Sequence, residues 1–280
     1  MIGGSRRIAA ALAALTLLLV VGGCARAQSP DPVQACAEGE VPEPSGEPGD
    51  AEILLEVASG FGPEDVHTVV YGDRHVATLT AEDEGALAML ALPRYIATPY
   101  DSGPGAWQGG HLPDCALMQI RERAEEIVVG DHEFGEPTIS DSGHTYVTYT
   151  DADGTQHRVG AYALGSEDGV GGISGAERMA RERLLALISV VTENVATTEI
   201  LPLDELQLDG GVEAVEEDPG GPEWPLEENL AQTLDDRDCV VFTGHDAQDV
   251  YRFLLDGGFA EVEGSLTVRA LPPGFAGCVE

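Results

Sequence analysis

Thr145-Tyr146-Val147-Thr148-Tyr149-Thr150, then Asp151-Ala152-Asp153-Gly154-Thr155, then Gln156-His157-Arg158-Val159-Gly160-Ala161-Tyr162-Ala163 is the stretch that decides the fold. Two strand-like runs flank an Asp-Gly dipeptide, a pair well able to take the positive φ angles of a type I′ turn. The pattern predicts a hairpin turning at Asp153-Gly154, with His157 opposite Thr150 and His144 opposite Ala163. A lone hairpin is marginal in water, so neighbouring segments must add strands and an apolar cover.

Upstream, Ile53 to Ala58, Val66 to Tyr71 and Val76 to Thr80 are short runs rich in Val, Ile and Thr, the last two joined by a turn at Gly72-Asp73-Arg74. Leu90 to Thr98 is a further candidate strand, and Ser102 to Pro113 reads as loop from its Gly, Pro and Asp content. Leu117, Ile120, Ala124, Ile127 and Val128 then recur at helical spacing, closed by Gly130. Downstream, Ser174-Gly175-Ala176-Glu177 is a capping box. It opens a helix whose stripe is Ala176, Ala180, Leu184, Leu187, Ile188, Val191 and Val195, with Glu177 and Arg181 expected to pair on the solvent side and an end near Asn194. After a loop at Gly210 to Pro222 come a strand at Cys239 to Thr243 and a short helix through Ala247, Val250, Tyr251 and Leu254. Phe259 to Val262 is then expected to pair with Leu266 to Ala270 across Glu263-Gly264-Ser265. The expected fold is α+β, an antiparallel sheet with two amphipathic helices plus a small C-terminal βαββ unit.

Composition narrows the chemistry. The 280 residues carry 50 Asp plus Glu against 14 Arg and no Lys, a formal charge of -36. Without lysine there is no P-loop, Schiff-base site, Ser-x-x-Lys acylation motif or kinase strand lysine. The field also has the wrong sign for nucleic acid, whose binding requires a cationic face. Hydrophobic residues at 43% suffice for a core.

The N-terminus reads as an export signal: Arg6 and Arg7, then Ile8 to Val21 apolar apart from one Thr, then Gly22, Gly23 and Cys24. Val21-Gly22-Gly23-Cys24 resembles a bacterial lipobox, which makes Cys24 the expected lipidation site and the first residue of the mature chain. Two acyl chains on one cysteine suffice for stable anchoring. The expected organisation is signal peptide 1–23, acidic Pro-rich tether 24–50, main domain 51–209, linker loop 210–223 and C-terminal unit 224–280. A coil of about 26 residues would have a root-mean-square reach of about 28 Å.

Four cysteines remain, Cys36, Cys115, Cys239 and Cys278, an even number in an oxidising context with three connectivities open. Cys239 with Cys278 is preferred because the two flank the C-terminal unit, which leaves Cys36 and Cys115 by remainder. No Cys-x-x-Cys and no helical His pair exist, so neither metal nor cofactor is expected. Asp151-Ala152-Asp153-Gly154 opens like a calcium loop but lacks the closing glutamate. Gly172-Ile173-Ser174-Gly175-Ala176 looks like a degraded nucleophile elbow, with a Gly-rich loop where a strand should precede the serine.

Tyr71-Gly72-Asp73, Asp153-Gly154-Thr155 with His157 and Val159, Ala161 to Gly165, Trp224-Pro225-Leu226, Cys239-Val240-Val241 and Val268 to Pro272 together resemble a group of actinobacterial lipoproteins over nearly the whole exported domain. The resemblance implies an exported, lipid-anchored location and brings no catalytic residues. The chain departs from that pattern at Arg74, where glycine is common, at Ala270, where proline is common, and at Ser59, where cysteine is common. The expected function is a non-catalytic binding module on the outer face of the cytoplasmic membrane. It would contact an envelope protein or wall component, with no nucleic acid and no catalytic residue. The alternatives are a serine hydrolase using Ser174 and a protease inhibitor presenting a loop such as Gly103 to Pro113.

Overall fold

The computed structural model describes residues 36, 43–60, 65–80, 106–166, 169–209, 215–217, 221–227, 239–255, 259–262 and 267–278. The signal and lipobox segment and the candidate strand Leu90 to Thr98 lie outside these residues. The fold is α+β. Strands β1 (Ile53–Gly60), β2 (Val66–Tyr71), β3 (His75–Thr80), β4 (Ala106–His111), β5 (His144–Thr150), β6 (Gln156–Tyr162) and β7 (Ala196–Ile200) form a seven-stranded sheet in the order β6-β5-β1-β2-β3-β4-β7. Every neighbouring pair is antiparallel.

The β5–β6 and β2–β3 hairpins each turn on three residues with the third in the left-handed region. Gly154 at φ 79° closes Ala152-Asp153-Gly154, and Arg74 at φ 84° closes Gly72-Asp73-Arg74. The matching bonds are Gly154 N to Asp151 O at 3.0 Å and Arg74 N to Tyr71 O at 3.1 Å. This is the three-residue loop with a left-handed third position, in place of the two-residue turn expected at Asp153-Gly154. Register therefore moves by one: His157 pairs with Tyr149 and His144 with Tyr162. Arg74 holds a conformation that costs a side-chain residue more than glycine.

One sheet face carries Leu55, Val57, Val70, Val76, Val147, Tyr149 and Ala161 against helices α1 (Asp114–Ile127) and α2 (Gly175–Asn194). The helices contribute Ala116, Ile120, Ala124 and Ile127, and Ala180, Leu184, Leu187, Val190 and Val191. Two expectations for α2 change. Ala176 is exposed, and Arg181, expected outside, is fully buried. Its Nη1 donates to Phe134 O at 3.1 Å and its Nη2 to Tyr162 O at 2.7 Å, so the guanidinium joins α2 to the end of β6 and to the segment after α1. Its aliphatic stem packs in the core while the head satisfies carbonyls that would otherwise be buried unpaired.

The opposite face, over β2, β3 and β4, carries Val69, Tyr71, Ala77 and Trp107 against Leu201 and Ala270. The loop expected at Ser102 to Pro113 is in part the strand β4. Gly109 and Gly110 give no alternation signal, yet the backbone pairs with β3 on one side and β7 on the other.

The C-terminal unit has the expected order: β10 (Cys239–Thr243), α3 (Gly244–Leu255), β11 (Phe259–Val262) and β12 (Thr267–Leu271). Its pairing differs from expectation. β8 (Glu205–Asp209), upstream of the loop, is the central strand between β10 and β12, and β11 pairs with β9 (Val215–Glu217) instead of β12. Leu206 and Leu208 supply the buried row that neither β10 nor β12 could complete, against Trp224, Phe242, Val250, Phe253 and Val268. Trp107 Nε1 donates to Ala270 O at 2.8 Å and Tyr71 OH to Pro273 O at 2.6 Å, joining unit and sheet.

Cys239 is bridged to Cys278 and Cys36 to Cys115, with Cα separations of 5.6 and 6.0 Å. Residues 47–50 form a turn, and Gly49 lies against Pro273 and Gly274. The Cys36–Cys115 bridge fastens Cys36, within the expected tether, to the start of α1.

Arg181→Met should lower stability by about 3 kcal/mol in urea unfolding, because two buried carbonyls lose their donors. Arg183→Ala, which breaks the partly exposed pair with Glu126 at 2.8 Å, should stay within about 0.5 kcal/mol of the parent. Peptides from unreduced digests should show Cys239 joined to Cys278, and recovery of both as free thiols from exported protein would contradict the fold at its C-terminus.

Candidate functional site

The C-terminal unit covers the β2–β4 part of its sheet face, and the same face continues across β1, β5 and β6. Register alone places its side chains. Arg158 pairs with Thr148, which pairs with Glu56; Gly160 pairs with Tyr146; Tyr162 pairs with His144. Cross-strand partners share a face at about 5 Å, and residues two apart along a strand follow at about 7 Å. Arg158 and Gly160 are exposed, and Tyr146, His144 and Tyr162 are half-buried.

The row is held by specific bonds. Arg158 Nε donates to Thr148 Oγ1 at 3.0 Å, and the Thr148 hydroxyl in turn bonds the Glu56 carboxylate. Burial pushes the Glu56 carboxyl above its usual range, partly offset by the Arg158 charge and the Thr148 bond. Next along, a Cβ built at Gly160 would lie 2.9 Å from Cδ1 and Cε1 of Tyr146, so glycine alone leaves room for the ring to lie on the strand. Tyr146 stacks on His144 with centroids 5.5 Å apart and planes at 16°, and His144 meets Tyr162 at 5.1 Å. Tyr162 OH donates to Ile139 O and accepts from Ser142 N, both at 3.1 Å, which fixes that end of the cluster. Rings beside a donor and an acceptor match the chemistry of a molecule with an apolar face and hydroxyl groups.

The residues singled out from sequence lie elsewhere. Ser174 is the N-cap of α2: its side chain accepts from Glu177 N at 3.2 Å while Glu177 bonds back to Ser174 N. That backbone bond, with the Ser174 side chain and the Arg181 charge, holds the Glu177 carboxyl below its usual range. Asp151 is likewise committed. Oδ1 accepts from Asp153 N and Thr155 N, each at 2.9 Å, and Oδ2 meets His157 Nε2 at 2.9 Å. Cys24 lies outside the described residues, and Cys239 and Cys278 are joined far from the row. Ala106–His111, from the suggested inhibitor loop, is an interior strand followed by fully buried Leu112.

One hydrogen-bonded chain was not foreseen: Ser59 Oγ to His67 Nε2 at 3.0 Å, and His67 Nδ1 to Thr68 Oγ1 at 3.0 Å. It has the spacing of a nucleophile and base. Its chemistry is poor, because a general base must become imidazolium, and burial pushes His67 below its usual range while a neutral hydroxyl occupies Nδ1. The chain joins neighbouring strands at the β1–β2 bulge.

Among the described residues no group of three His, Cys, Asp or Glu could hold a metal ion, and no helix is long and apolar enough to cross a membrane. The Arg158–Tyr146 row was hidden in the sequence by the register. A two-residue turn would set Arg158 opposite Tyr149 and Gly160 opposite Val147, on the helix-covered face; Asp151 followed by Asp153-Gly154-Thr155 was the available signal for a longer loop. No family model matches the chain, nor does any curated protein or solved structure.

Glu56 gives a pH test. With its folded-state value above 4.5, the ionised form costs folding free energy above that folded value, and the cost vanishes once both states are protonated. Glu56→Gln should therefore raise the urea midpoint at about pH 8 and leave it unchanged at about pH 3. An equal gain at both pH values would mean that the effect is not ionisation.

Proposed function

We propose that the chain is a lipid-anchored extracytoplasmic lipoprotein whose folded domain is a non-catalytic binding module of the cell envelope. The observation that carries the location is the order of the first 24 residues, two arginines, an apolar run and Val21-Gly22-Gly23-Cys24. Two disulfides fit an oxidising compartment. Support for binding over catalysis is chemical: Ser174 is used as a helix cap, His67 is a disfavoured base, and the aromatic and polar row on β1, β5 and β6 offers contacts without a nucleophile. A resemblance to actinobacterial lipoproteins points to the same location.

In the native host, Cys24→Ser should move the protein from the membrane pellet to the soluble fraction and abolish incorporation of radiolabelled palmitate. An unchanged membrane pool would count against the anchor. A fluorophosphonate probe should label neither Ser59 nor Ser174; labelling lost in Ser59→Ala or Ser174→Ala would replace the binding reading with a hydrolase.

A further inference from the structure

We propose that the row formed by Tyr146, Gly160, Arg158, Thr148 and Glu56 is a binding site for a neutral polysaccharide. The inference rests on the binding-module reading and names its ligand class. Three observations select that class.

The first is shape. Tyr146 sets the Cδ1–Cε1 edge of its ring against Gly160 and stacks on His144, so two nearly parallel, half-buried rings line the strand. Such a pair of rings matches the C–H face of a sugar ring, whereas an extended peptide would instead use the free edge of β6.

The second is hydrogen-bond polarity. Among the described residues Arg158 makes one hydrogen bond, through Nε to Thr148, and no ion pair, and its side chain is exposed. Its two terminal nitrogens remain as donors beside the half-buried Glu56 carboxylate, and the buried Thr148 hydroxyl links the two side chains. Donors and acceptors side by side suit hydroxyl groups, which do both. A carboxylate or phosphate only accepts and would meet Glu56 unfavourably.

The third is charge. With 50 acids against 14 Arg in the chain, polyanions are repelled at long range and a neutral polymer is not. The neutral polymer also keeps its hydroxyls available at any ionic strength, so retention should be insensitive to salt.

The test is affinity electrophoresis of the purified full chain in non-ionic detergent, in native gels cast with glucan, galactan, mannan or xylan, and with polygalacturonate as the anionic arm. Retardation by at least one neutral polymer is expected, reduced about tenfold in apparent affinity by Tyr146→Ala and by Arg158→Ala. Met118→Ala, at an exposed position on α1, should leave it unchanged. Arg158→Ala alters an exposed side chain and carries the test should Tyr146→Ala fail to fold. Migration unaffected by all four neutral polymers, retardation by polygalacturonate alone, or retardation that survives both substitutions would overturn the inference. Capture of an envelope protein by the full chain without glycan retardation would sink the glycan ligand and leave the binding-module reading standing; fluorophosphonate labelling would sink the reading itself.

Discussion

Asp151 and Thr155 set the register on which the sheet depends. The Asp151 carboxylate takes the amides of Asp153 and Thr155, and Asp151 N bonds Thr155 O at 2.9 Å. The loop is thereby closed at three residues. Because side chains alternate across a sheet, one residue more or less would exchange the faces of β6 relative to β5. With the observed loop, Val159 and Ala161 meet the helices, and Arg158 and Gly160 reach the other side. The bond from Asp151 to His157 adds to the same lock, holding the Asp151 carboxyl below its usual range.

A seven-stranded sheet with apolar residues on both faces needs a cover on each. Two helices cover one side, and Arg181 lets a charged side chain serve in that layer by directing its head to backbone carbonyls. The C-terminal unit covers part of the other side. It is fixed there by the Trp107 and Tyr71 bonds and by the residues before β1 that lie on its last turn. Burial of the Tyr71 OH against that turn, with the Asp73 and Glu205 charges, strongly suppresses its ionisation and keeps it a donor. The row of Tyr146, Gly160, Arg158, Thr148 and Glu56 lies on the part of this face beyond that unit, with Arg158 and Gly160 exposed and Thr148 buried.

Most of the charge has no structural task. Several arginines are spent on carboxylates, Arg74 with Asp114, Arg252 with Asp249 and Arg269 with Asp209, at 3.3, 2.8 and 3.3 Å. These pairs are at least partly exposed and contribute little each. Arg158 differs from these: its Nε is held by the Thr148 hydroxyl, its charge acts on Glu56, and among the described residues it makes no ion pair.

The strands β1, β2, β3, β5, β6, β10, β11 and β12, the three helices of the described residues and the capping box at Ser174 were legible in the sequence, because each is signalled by local periodicity or by a local hydrogen-bonding pattern. So was the Cys239–Cys278 pairing, since both cysteines flank one short unit. Residues such as Ala106–His111 and Ala196–Ile200 carry too little alternation to declare themselves; the first pairs with β3 and β7 on its two sides, and the second pairs with β4 at the end of the sheet. Tertiary structure alone placed β8 in the C-terminal sheet, separated β11 from β12, turned Arg181 inward and brought Glu56, Thr148 and Arg158 into one row. Each of these is a contact between segments distant in the chain. Its free energy comes from burial and hydrogen bonding that no local window contains.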